Sequence, residues 1–219
     1  MITNNYPQII GLCAGILLLT SLLMVWRHSL LASIGLLAIQ GAGLAALVAV
    51  IGAQTDDAEL LLAATLVFAI KGVALPRILA RQTGATTRTI DESPHLNPTA
   101  SLLLVAGLTI LSYAILGPIL VHLDTVTAHA APIGLAMVLI GFLLLVTRRR
   151  AGSQLIGFLV LDNGIATVIF LTSGGVPLFL ELAISLDVFL VVVILYVFAG
   201  RMRTKFGGTD VDTLRELHD

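Results

Sequence analysis

The sequence predicts an all-α, polytopic membrane protein with seven transmembrane helices, its N-terminus outside and its C-terminus inside. Three observations predict it. The chain has 219 residues, of which 58% are hydrophobic and only 11% charged, whereas a soluble domain carries roughly 25% charged residues. Its apolar runs, at about 9–26, 30–54, 59–80, 99–121, 132–147, 153–173 and 178–200, approach or exceed the ~20 residues needed to cross ~30 Å of hydrocarbon. Finally, eleven of the twelve Lys and Arg residues fall in alternate connections: Arg27; Arg77, Arg81 and Arg88; Arg148, Arg149 and Arg150; Arg201, Arg203, Lys205 and Arg215. The other connections hold Asp56, Asp57, Glu59, His122, Asp124 and His129, with no Lys or Arg. Positive residues stay on the cytoplasmic side, so this alternation requires an odd number of spans and sets their direction. The membrane expected is the inner, cytoplasmic one.

The first run has no basic n-region and no small-residue cleavage site before Arg27 and His28, so it reads as a helix rather than a signal peptide. It contains the single cysteine, Cys13, which reads as a small buried hydrophobe and leaves no cysteine-based metal or iron–sulfur site to be built from this chain. In the second run Gly35, Ala38, Ala42 and Ala46 recur at helical spacing, a pattern that permits close helix approach. The third run contains Lys71 and, five residues on, Pro76, which removes a backbone hydrogen bond and predicts a kink beside the lysine. The longest connection, 81–98, "RQTGATTRTIDESPHLNP", is cytoplasmic and ends as a helix start, with Asn97 as N-cap and Pro98 at the first helical position. The Arg148–Arg150 run after the fifth span reads as a topology anchor at a helix end. The sixth and seventh runs are joined by the short turn "GGVP", which predicts antiparallel neighbours. The chain divides into 1–98, spans one to three with the cytoplasmic loop; 99–131, the fourth span and an outer loop; and 132–219, a three-helix unit with a cytoplasmic tail.

Laying 11–83 over 133–205 without a gap aligns Arg27 with Arg149, Gly35 with Gly157, Gly52 with Gly174, Glu59 with Glu181, and Arg81 with Arg203. Gln40 then falls on Asp162 and Thr65 on Asp187. This reads as a three-helix internal repeat, of the kind common in transport folds, in which the second copy carries ionisable groups where the first carries neutral polar ones.

The run "GFLVLDNGIATVIFL", 157–171, places Asp162 and Asn163 in the middle of an apolar helix. Counting ~1.5 Å per residue puts both Asp162 and Asp187 ~13 Å deep, and Lys71 ~18 Å from the outer surface, so that Lys71 and Asp162 lie within about 5–10 Å along the membrane normal. Each such charge costs ~2.5–3.5 kcal/mol on insertion scales. Two readings explain that cost. The groups form static interhelical ion pairs, or they relay ions, since a carboxyl near the midplane can accept a proton, pass it on and be reprotonated. Asp162, Asp187 and Lys71 are the relay candidates. Gln40 and Asn163 are accessory candidates, as is Glu181, which lies near the outer end of the seventh span and also reads as a residue reaching back to the interface.

The stretches "FAIKGVALPRIL", "GFLVLDNG" and "ELAISLDVFLVVVILYVFAGRMRTKFGGTDVDTLREL" resemble the E component of hydrogenase-4-type complexes, a polytopic membrane subunit of formate-hydrogenlyase-like and antiporter-like assemblies, over the whole chain. The last ~85 residues also resemble the three-helix K subunit of respiratory complex I, whose C-terminal tail is similar to "DVDTLREL" here. That second likeness implies ion-handling roles for Asp162 and Asp187. Two departures bear on the transfer. The family usually has Glu where this chain has Asp162, one methylene shorter, so that a bridging water would make up the reach. Asp187 also sits about one helical turn earlier relative to "AISL" than the complex I carboxylate. Lys71 and Pro76 match the hydrogenase-type family.

The resemblance implies a membrane subunit with no catalytic, cofactor-binding or metal site and no cofactor of its own. Its expected partners are antiporter-like and other membrane subunits and the lipid bilayer, not nucleic acid. Its function would be proton or sodium translocation coupled to electron transfer in those partners. The alternative is a structural adaptor that joins antiporter-like subunits without conducting ions. An autonomous secondary transporter is disfavoured, because the chain is small and lacks broken-helix Gly/Pro pairs around a midplane pocket.

Overall fold

A computed structural model describes residues 5–27, 29–83, 97–120, 127–148, 151–173 and Phe189. Every element among the described residues is helical: α1 (Tyr6–Trp26), α2 (Leu30–Thr55), α3 (Ala58–Val67), a π-helical segment (Phe68–Ala74), α4 (Leu75–Thr83), α5 (Pro98–Leu120), a short 3-10 turn (Ala128–Ala130), α6 (Ala131–Thr147) and α7 (Ala151–Ser173). With α3, the π segment and α4 running on as one rod, six helices among the described residues are long and apolar enough to cross a membrane. The expected seventh span at 178–200 lies outside the described residues, apart from Phe189, which packs against the apolar cluster containing Leu155 and Leu159.

Helix ends follow local chemistry. The first turn of α1 contains Pro7, where a missing N–H costs nothing. α2 ends at Asp56, which adopts the left-handed conformation (φ 55°, ψ 36°) with its N–H on the Gly52 carbonyl. The next residue, Asp57, caps α3, its carboxylate accepting from the N–H groups of Glu59 (2.9 Å) and Leu60 (3.3 Å). α5 begins at Pro98 with the Asn97 carbonyl accepting from Ser101 N–H, as the sequence predicts. Arg148 does more than anchor the chain: its guanidinium donates to the carbonyls of Met24 (3.1 Å) and Arg27 (2.9 Å), closing the C-terminus of α1 with a positive charge.

Ahead of Pro76, where the sequence predicts a kink, the helix changes type. The rod widens ahead of the proline, and Leu75 N–H reaches back five residues to Ile70. A proline cannot donate to the carbonyl four residues earlier and its ring crowds that group; a wide turn takes the carbonyl out of the way. Such segments recur at functional sites, and this one contains Lys71.

The most extensive helix contact among the described residues joins α6 and α7. A Cβ at Gly141 would lie 2.6 Å from the backbone nitrogen of Leu161, and one at Gly164 2.6 Å from that of Val138, so glycine at both is what lets the backbones meet. The close-approach stripe expected on α2 is displaced around that helix. Gly35 and Ala46 face outward, and nothing lies within 4 Å of a Cβ at Gly35. Gly41 and Gly52 make the close contacts instead. An apolar helix leaves its inward face undetermined by hydrophobicity, so a stripe of small residues alone does not identify it.

The hairpins α1–α2 and α6–α7 meet like to like, α1 against α6 and α2 against α7. Trp26 and Thr147 end corresponding helices and Leu30 and Ala151 begin them, a spacing of 121 residues in both cases (147 − 26 and 151 − 30). One residue separates this from the 122-residue sequence register, within the usual spread of helix-end assignment.

Two apolar clusters fill the bundle. One joins Leu17, Leu44, Val67, Met137 and Phe170; the other joins Met24, Leu37, Leu75, Ile140 and Leu159. Many large apolar side chains point outward, among them Leu12, Trp26, Leu31, Leu103, Ile110 and Val146. A water-exposed surface would rarely carry such a continuous apolar cover. Six long apolar helices of this kind make a multi-pass membrane protein.

Candidate functional site

Between the two apolar clusters lies a polar layer. Each contributing helix supplies it at the point where its side chains pass from one cluster to the other: Ser21 on α1, Gln40 on α2, Lys71 on the π segment, and Asp162, Asn163 and Thr167 on α7. All are buried. Asp162 is the twelfth of the 23 residues of α7, so on that helix the layer sits midway along.

Lys71 and Asp162 form a direct ion pair, with Nζ 2.7 Å from Oδ2. Lys71 is 2% exposed and Asp162 7%. The contact is an ion pair that does not meet hydrogen-bond geometry, and among the described residues neither of the two atoms has any hydrogen-bond partner. The expectation of a bridging water is therefore overturned: the shorter aspartate reaches the ammonium unaided. The physical reason is the approach of the backbones. A Cβ on Gly41 would lie 2.5 Å from both the carbonyl carbon and oxygen of Lys71 and 2.7 Å from the nitrogen of Gly72, so the glycine lets the lysine-bearing rod press directly onto α2.

Beside the pair runs a string of neutral groups. Asn163 Nδ2 donates to Gln40 Oε1 (3.0 Å), Gln40 Nε2 donates to Ser21 Oγ (2.7 Å), and Ser21 Oγ donates to the Leu17 carbonyl (2.9 Å). Thr167 Oγ1 donates to the Asn163 carbonyl at 2.7 Å. The side-chain donors of the string point one way, from α7 through α2 to α1, an arrangement in which each bond polarises the next.

Four of the six residues singled out in the sequence thus meet in one layer: Lys71 with Asp162, and Gln40 with Asn163. Asp187 and Glu181 lie outside the described residues. Ser21 and Gly41 were missed. Ser21 had a signal, as one of two adjacent hydroxyl residues in "LLLTSLLM"; Gly41 stood beside a buried glutamine in a stretch rich in small residues. Cys13 is buried as a free thiol. Among the described residues no three His, Cys, Asp or Glu side chains converge as a metal site would require.

No family model matches the sequence, and no solved structure matches it. The uncharacterized protein Rv0085 of Mycobacterium tuberculosis is 43% identical over 220 residues, which cover 100% of both chains. Hydrogenase-4 component E of Escherichia coli K12, and that of Shigella flexneri, is 26% identical over 217 residues, covering 99% of this chain and 97% of theirs. These matches run through every helix described above, the polar layer included, and the chain belongs to the family of Rv0085 and Hydrogenase-4 component E.

Proposed function

We propose that the chain is a cofactor-free subunit of a hydrogenase-like or complex I-like assembly in the cytoplasmic membrane, and that its polar layer moves protons coupled to electron transfer in partner subunits. The single observation that supports this reading is the buried contact of Lys71 Nζ with Asp162 Oδ2 at 2.7 Å. The two atoms are within hydrogen-bond distance, and a small rotation of either side chain that aligns them would let a proton pass between them. As it moves, an N–H bond on Lys71 breaks and an O–H bond on Asp162 forms, so a charged pair becomes a neutral one without a charge crossing hydrocarbon. Either form can then exchange a proton with the next carrier. Asp187 and Glu181 are the candidates for that step in this chain, and antiporter-like subunits are the candidates outside it. The N-out, C-in direction inferred from the Lys and Arg distribution puts Arg27 and Arg148 on the cytoplasmic side of the layer.

A second reading, a structural adaptor, has one observation in its favour. α5 is little buried against the rest of the described chain, with Leu103 70% and Ile110 71% exposed. Such a face suits a neighbouring membrane subunit.

The double variant Lys71→Met/Asp162→Asn separates the two readings, because it removes the titratable pair without leaving a lone buried charge. In inverted vesicles, its complex should assemble at near wild-type yield while electron-transfer-driven acidification falls at least tenfold. Wild-type acidification would refute the relay. Loss of assembly would favour the adaptor. A requirement for sodium at constant pH would change the ion.

A further inference from the structure

We infer that Gln40 and Gly41, neighbours on α2, are the positioning residues that set the distance between Lys71 and Asp162. Together they touch both sides of the pair. The Gln40 side chain holds α7 through Asn163, the residue next to Asp162, at 3.0 Å. Gly41, by lacking a side chain, seats the backbone of Lys71 and Gly72 on α2. The two helices that carry the charges are therefore gauged from one point on a third helix. The direct contact of 2.7 Å follows from that arrangement.

A side chain at position 41 has a measurable consequence. Its Cβ would meet Lys71 backbone atoms at 2.5 Å, whereas carbon atoms rest at about 3.5–4.0 Å. Gly41→Ala must therefore displace the π segment from α2 by about 1 Å, because the obstructing atoms are backbone and cannot rotate away. Asp162 is carried by α7 and does not follow. A glutamate at position 162 would extend the carboxyl by up to about 1.5 Å, one carbon–carbon bond, enough to close the gap. In the native Gly41 setting the same extra methylene is an overpacking change in a buried site. Asp162→Glu should thus change sign with the residue at position 41.

The test is the thermal midpoint of the full-length chain in detergent for Gly41→Ala, Asp162→Glu and the combined variant, each with Lys71 and with Lys71→Met. With Lys71 present, Asp162→Glu should lower the midpoint by about 3–5 °C when Gly41 is retained. In the Gly41→Ala background it should raise the midpoint by about the same amount, shifts expected for a chain of this size from small packing and pairing changes. Adding Lys71→Met should abolish that gain. If Gly41→Ala does not accumulate but Gly41→Ala/Asp162→Glu does, the inference stands. If neither accumulates, Gly41 supplies space alone and the inference fails. It also fails if Gly41→Ala leaves the midpoint unchanged, since the lysine stem has then absorbed the shift, or if the effect of Asp162→Glu is independent of the residue at position 41. Proton movement by the assembled complex should show the same sign change. That last arm rests on the relay reading: a restored midpoint without restored proton movement would refute the relay and leave the positioning role intact.

Discussion

An ion pair in an apolar interior is stable only while both partners are present. Removing one leaves a buried charge with no counter-ion, at a cost of roughly 3–5 kcal/mol in soluble proteins. Lys71→Met alone and Asp162→Asn alone should therefore each lower stability by that order, and the double variant should lose less than the sum. A double-mutant cycle on chain yield and unfolding midpoint measures the difference; additive losses would contradict the 2.7 Å contact. Gln40 allows a second residue-scale prediction. Its amide is held at both ends, by Asn163 and by Ser21, so Gln40→Leu strands the Asn163 amide donor, while Ser21 keeps its bond to the Leu17 carbonyl, and should cost roughly 1–3 kcal/mol. Ser21→Ala, which leaves the Asn163 bond in place, should cost less than Gln40→Leu in the same unfolding measurement.

At the scale of the element, four helical elements are defined by what happens at one or two residues. α6 and α7 meet through glycines, and the 2.6 Å that a Cβ at Gly141 would leave to the Leu161 nitrogen admits no side chain. Gly141→Val should destabilise the α6–α7 hairpin by roughly 3 kcal/mol or more, toward the upper end of overpacking costs, and reduce the amount of chain in the membrane. Gly35→Val, at an outward position of α2 with nothing within 4 Å, should change it little. Immunoblots of membrane fractions compare the two. The end of α1 depends on Arg148, whose guanidinium donates to three carbonyls there. Arg148→Ala should loosen that end at a cost of roughly 1–2 kcal/mol, seen as faster amide exchange over Met24–Trp26. The π segment shows how a proline acts at a distance along its helix: Pro76 is not among the residues of the polar layer, yet the widened turn it accompanies contains Lys71.

At the scale of the whole molecule, the bundle consists of two apolar clusters with a polar layer between them. The N-out, C-in direction proposed for it rests on the distribution of Lys and Arg along the chain. Reporter fusions after Gly84 and after Gly208 should both report cytoplasm; a periplasmic signal at either position would overturn the seven-span, N-out reading. The layer lies near mid-helix in α7 and in the rod from Ala58 to Thr83.

The sequence by itself determined the class of molecule, the bounds of the six described spans to within a few residues, the cap at Asn97 and Pro98, and the presence of opposite charges at one depth. These are properties of composition and of distance along a helix, which the rise per residue makes readable. Only the tertiary structure decided which way each helix is turned. The helices are apolar on all sides, so no hydrophobic stripe marks the inner face, and Gly35 and Gly41 looked alike as letters although one faces outward and the other seats the backbone of Lys71. The same rotation joined Gln40 to Asn163 and to a serine on α1 that the sequence had left unremarked. Depth is one coordinate and can be counted; contact needs the angle about each helix axis as well, and that angle is set by how glycine-bearing backbones fit together.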